Sequence, residues 1–137
     1  MTKINNMSNI KKTKISGKDI TMELKDSLKQ TVETMKNRVE KEIPDKGYFR
    51  DFAEDFANPD KNIYAKAISL SVQKDINNEG KAYLGVNILH PSMVLNASSN
   101  IAYGTRKELL KELNDSNIIN KLEANIKNLS EKMKESY

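Results

Sequence analysis

A two-layer α+β domain is the fold class this sequence predicts, and three observations carry that expectation. Apolar residues step by three or four from Leu24 to Ile43 and again from Ile119 to Met133, which is helical spacing. Between Ile63 and Tyr103 they alternate residue by residue, which is strand spacing. Turn-forming residues separate the alternating runs and join them into an antiparallel set. The expected order is α-α-β-β-β-α-α, a three-stranded antiparallel sheet with the helices packed mainly on one face.

The elements follow in order. From Asp19 to Ile43, Leu24, Leu28, Val32, Met35, Val39 and Ile43 form one stripe, with Lys25, Lys29, Glu33, Lys36 and Glu40 away from it. Ser16 or Asp19 is placed to cap this helix, and Pro44 ends it because proline disfavours helical geometry in the residue before it. A second, shorter helix is expected over Tyr48 to Ala57, where Phe49, Phe52, Ala53 and Phe56 fit an i, i+3, i+4, i+7 set before Asn58-Pro59.

The first strand is expected over Ile63 to Gln73, with Tyr64, Ile68, Leu70 and Val72 on one side and Ala65, Ala67, Ser69 and Ser71 on the other. Asp75 to Gly80 supplies a turn, and Ala82, Leu84, Val86 and Ile88 then alternate with Lys81, Tyr83, Gly85 and Asn87 to complete a hairpin. After a second turn at His90-Pro91-Ser92, a third strand runs from Met93 to Tyr103. Met93, Leu95, Ala97, Ile101 and Tyr103 share a parity there, and the weak middle from Asn96 to Asn100 suits a bulge. Thr105 and Glu108 have capping-box spacing, so a helix should start at Thr105, with Leu109, Leu110 and Leu113 giving it an apolar side. Asn114 to Asn117 stops it and caps a last helix whose seam is Ile119, Leu122, Ile126, Leu129 and Met133.

Composition bounds the function. A chain of 137 residues with 37% apolar content suits one domain with a modest core, expected over residues 19–137. It contains no cysteine, so disulfides and thiolate metal sites are excluded, and a cytoplasmic protein is the expectation. No run approaches the roughly 20 apolar residues of a membrane span, and no membrane association is expected. The net charge of +4 is segregated: Lys3, Lys11, Lys12, Lys14 and Lys18 lie in residues 1–18 with no acid, leaving 18 basic against 19 acidic side chains. Residues 1–18 therefore read as a flexible basic arm on a nearly neutral body.

Several local patterns invite a chemical reading, and each has a simpler one. Asp75-Ile76-Asn77-Asn78-Glu79-Gly80 opens like a calcium-binding loop, but its twelfth position is Val86 where a bidentate glutamate is required, so it reads as a hairpin turn. Asp51, Glu54 and Asp55, with Asp60 nearby, would cluster on the short helix, where amphipathicity already demands a charged face. His90 is the only histidine, with no nucleophile or second base tied to it by a motif, and its place before Pro91 suggests a structural role. Gly104-Thr105-Arg106-Lys107 could receive an anion at a helix start, but the capping box accounts for the threonine. No enzyme activity and no cofactor are expected.

The more informative pattern is the second face of the sheet. Its residues are small or amide-bearing, whereas strands that simply face water usually carry long charged side chains. The expected function is a small non-enzymatic interaction or regulatory protein, binding a protein partner or itself through Ala67, Ser69, Ser71, Tyr83, Gly85 and Asn87. The alternative is nucleic-acid binding through Lys11, Lys12, Lys14 and Lys18. A helix, three antiparallel strands and a helix are similar in outline to double-stranded RNA-binding domains. That outline lacks a clean lysine cluster here, since Glu108 and Glu112 interrupt Arg106, Lys107 and Lys111, and Tyr83 stands alone on its face.

Overall fold

The apolar stripe of the first helix lands where its spacing requires. In a computed structural model, which describes residues 22–135, helix α1 (Met22–Glu42) buries Leu24, Leu28, Val32, Met35 and Val39. Ile43 follows in the same core, and Pro44 terminates the helix. The proposed caps at Ser16 and Asp19, like the lysines of the arm, lie outside the described residues.

The segment expected as a second helix is instead an edge strand, β1 (Phe52–Ala57). Six residues are too few for periodicity to separate the two templates, since Phe52 and Phe56 are four apart and share both a helical stripe and a strand face. Pairing decides. Phe52 sits opposite Val72 and Phe56 opposite Ile68, which aligns both rings with the apolar side of the neighbouring strand. Arg38 of α1 then spans the gap: its guanidinium lies 4.5 Å from the Phe52 ring centre and donates to Glu54 at 2.8 Å.

Three further strands complete the sheet, β2 (Ala67–Lys74), β3 (Lys81–Leu89) and β4 (Asn96–Thr105). All pairings are antiparallel and the spatial order is β1-β2-β3-β4, so the sheet has four strands where three were expected. Helices α2 (Arg106–Leu113) and α3 (Ile118–Glu135) follow. Ile68, Leu70, Val72, Ala82, Leu84, Val86 and Ile88 form the inner face and share one core with Leu109, Leu113, Leu122, Ile126, Leu129 and the α1 stripe. Full burial of each leucine, isoleucine or valine among them stabilises by roughly 1.5–3 kcal/mol.

β4 departs from the simple alternation through a bulge. Leu84 pairs with Ala102 but Gly85 with Asn100, so Ile101 is the extra residue. Before the bulge Ser99 faces the helices, where its hydroxyl donates to Asn125 at 2.7 Å. After it the phase reverses, Ala102 takes the inward position opposite Leu84, and Tyr103 turns to the outer face opposite Tyr83. The single-parity reading of Met93 to Tyr103 therefore fails: Met93 and Leu95 are exposed ahead of the strand, and Tyr103 lies on the other side. Ala65 also departs from its expected outward place, because it precedes β2 in a buried loop whose carbonyls at Ile63 and Ala65 accept from Asn58 at 2.8 and 2.7 Å.

The capping box at α2 is present, with Thr105 N–H donating to Glu108 at 2.9 Å and the Thr105 hydroxyl accepting from the Glu108 amide. Arg106 reaches the end of α1, donating to the Ile43 carbonyl at 2.7 Å and to the Asp45 carboxylate at 2.8 Å. Among the described residues no helix is long and apolar enough to cross a membrane.

Candidate functional site

With the helices on the inner face, the outer face of the sheet is lined by rows of residues that the registers place side by side. Asp55, Ser69, Asn87 and Ser98 are successive cross-strand neighbours, so one polar row crosses all four strands. Ala53, Ser71, Gly85 and Asn100 form the next, and Ala67, Leu89 and Asn96 flank it on the other side. Small side chains in adjacent rows leave a shallow hollow of about 490 Å³, lined by Asp55, Ala67, Ser69, Asn87, Asn96 and Ser98 among others.

At the opposite end, Gln73, Tyr83 and Tyr103 form a row in which the two rings pack at 4.6 Å between centres, tilted by 42°. Tyr83 thus has an aromatic partner, which the parity of the bare sequence concealed because the bulge at Ile101 delivers Tyr103 to this face. The Tyr103 hydroxyl donates to Asp75 at 2.5 Å, and Lys81 lies 5.9 Å from its ring centre. Asp75 also accepts from the Asn77 amide at 2.8 Å and from Asn78 at 2.9 Å, so its two oxygens organise the β2–β3 turn. The hydrogen bond from Tyr103, with those from Asn78 and Asn77, holds the Asp75 carboxyl below its ordinary value, and the Asp75 carboxylate pushes Tyr103 up to about 12.

Of the six residues expected to bind a partner, Ala67, Ser69, Ser71, Tyr83 and Asn87 are half-buried on this outer face. Gly85 is buried in the sheet, where a Cβ would lie 2.9 Å from the Ser99 carbonyl oxygen and 3.1 Å from Asn100 Oδ1. Its lack of a side chain serves the approach of β4. Asn96, Ser98, Asn100 and Tyr103 belong to the same surface, and only the position of the bulge could have revealed Tyr103. Lys11, Lys12, Lys14 and Lys18 fall outside the described residues.

The other chemical candidates are dispersed or engaged. Strand geometry sends Glu54 inward to Arg38 and Asp55 outward, while Asp51 accepts from the Lys74 amide at 2.9 Å, so the carboxylates do not converge as they would on a helix. Among the described residues no group of three histidine, cysteine, aspartate or glutamate side chains is placed to hold a metal ion. His90 is buried. Its Nδ1 accepts from the Ser92 amide at 2.9 Å and lies 2.7 Å from the Ser92 hydroxyl, and its Nε2 is hydrogen-bonded to the Tyr64 hydroxyl at 3.1 Å. Tyr64 packs edge-on against this ring, and its amide donates to Ser130 in α3 at 2.6 Å, so the imidazole anchors a turn to the helical layer.

No protein-family model matches the chain, and no match is found among curated proteins or among solved structures.

Proposed function

We propose that this chain is a small non-enzymatic interaction protein whose outer sheet face receives a protein partner. The observation that supports this reading is the polar row Asp55, Ser69, Asn87 and Ser98, which crosses the whole sheet beside a hollow that, among the described residues, the helices leave uncovered. Hydroxyl and amide groups both donate and accept, as a polypeptide backbone does, and short side chains admit another chain closely at little entropic cost. Asp55 is the one charged residue of the row, which favours a partner presenting an amide or a cation there.

Ser69→Arg and Asn87→Arg, made separately because the two positions are cross-strand neighbours, test it. Proteins recovered from the native host by the unsubstituted chain, in nuclease-treated extract, are expected to be lost with either variant. Thermal melting should stay within roughly 0.5 kcal/mol of the parent, as for surface substitutions generally. An unchanged set of recovered proteins overturns the reading.

Charge segregation supports a second reading, nucleic-acid binding through Lys11, Lys12, Lys14 and Lys18 of the N-terminal arm. It ranks below the first because those lysines lie outside the described residues, and the sheet carries only the tilted Tyr83–Tyr103 pair without a flanking arginine on its strands.

A further inference from the structure

The two edges of the sheet differ in kind. β1 carries Glu54 and Asp55, and charge on an edge strand resists pairing with another chain. β4 carries none: residues 82–105 contain no aspartate, glutamate, lysine or arginine, in a chain that is 31% charged. Among the described residues β4 pairs only with β3, and no loop or turn backbone bonds to Asn96–Thr105.

The direction of the unpaired groups follows from the hairpin. The His90 amide donates to the Leu95 carbonyl at 2.8 Å, closing the β3–β4 connection. Backbone groups of an antiparallel strand alternate in direction from such a pair. Leu95, Ala97 and Ser99 therefore turn their N–H and C=O toward β3, and Asn96, Ser98 and Asn100 turn theirs outward. The bulge at Ile101 interrupts this phase, so Asn96 to Asn100 is the straight part of the open edge. That segment, Asn-Ala-Ser-Ser-Asn, reads nearly the same in both directions about Ser98.

We propose that β4 pairs with β4 of a second copy of this chain, antiparallel about a two-fold axis at Ser98, joining two four-stranded sheets into one of eight strands. Ser98 then exchanges both backbone hydrogen bonds with Ser98 of the second copy, and Asn96 does so with Asn100. A second copy fits better than an unrelated chain because an isologous contact sets a strand against itself, where any charge near the axis would meet its like. This edge has no charge and matches its own reverse. The axis runs perpendicular to the sheet, so both outer faces lie on one side of the dimer and merge. The inference stands on the edge and does not depend on what the outer face binds.

Sedimentation equilibrium of the whole chain is expected to give twice the chain mass. Ser98→Pro removes an amide that points away from β3, a substitution edge strands tolerate, and should halve the mass while leaving far-ultraviolet circular dichroism unchanged. Ser98→Lys, which sets like charges across the axis, should do the same should the proline variant not fold. The chain has no cysteine, so Ser98→Cys reports geometry directly. Facing Cα atoms in a hydrogen-bonded pair lie about 5.5 Å apart, within disulfide range. Oxidation should therefore link Ser98→Cys into a dimer and leave Ala53→Cys on β1 unlinked. Chain mass at every concentration overturns the proposal, as does a dimer that survives both Ser98→Pro and Ser98→Lys. A dimer lost with Ser69→Arg but kept with Ser98→Pro assigns the contact to the face and overturns it too, and one lost on deletion of residues 1–18 assigns it to the arm.

Discussion

The Tyr103 hydroxyl and the Asp75 carboxylate each change the other's protonation, and stability should follow pH at both ends of the range. Asp75 has its native value lowered from 3.8, so its contribution is present above 3.8 and is lost as pH falls through the lowered value. Tyr103 is raised from 10.0 to about 12, so its contribution is complete below 10.0 and is lost as pH rises through about 12. Tyr103→Phe is expected to lower the melting temperature at neutral pH and to weaken both dependences. Near-ultraviolet absorbance of the phenolate checks the assignment: a late ionisation step at about 12 should be present in the parent and vanish in the variant. Neither group was singled out by local pattern as half of a pair. Asp75 was legible as a turn residue, but Tyr103 lies 28 positions away and reaches it only because β4 returns beside β3 with its phase reversed.

At the scale of elements, the bulge is the feature on which the outer face depends. Gly85 makes room for it, since Ser99 and Asn100 approach where a Cβ would stand. Gly85→Ala should therefore cost about 1–3 kcal/mol, in the manner of other overpacked sites, and move the Tyr83–Tyr103 contact. Denaturant unfolding measures the first effect and the late tyrosine ionisation reports the second; a neutral substitution would show that β4 is free to shift. Helices α1, α2 and α3 were legible because their signals are local: a stripe at helical spacing, a capping box, and asparagines between two helices. β2 and β3 were legible from alternation around an obvious turn. β1 was not, because two phenylalanines four residues apart satisfy both templates and only Val72 and Ile68 across the ladder select one.

For the whole molecule, the layout separates charge from surface chemistry. The basic excess lies in residues 1–18, and the remainder is slightly acidic. Under the nucleic-acid reading, deletion of residues 1–18 should abolish retention of a polynucleotide at low salt, and the intact chain should lose it steeply as salt rises. Retention unchanged by the deletion would move any such site onto the folded body. Among the described residues the helical layer covers one side of the sheet and leaves the other to its small side chains, whose place in cross-strand rows follows from the alternation of Ala67, Ser69 and Ser71 with Ile68, Leu70 and Val72.

Local sequence by itself determined helices α1, α2 and α3, the β2–β3 hairpin with its inward side chains, and the small-residue character of the opposite face, because spacing and capping act over a few residues. Only the tertiary structure decided that Phe52–Ala57 is a strand, that Ile101 reverses the phase of β4, and that Tyr103 meets both Tyr83 and Asp75. Those outcomes depend on register between distant segments, and register is set by which side chains lie across the ladder.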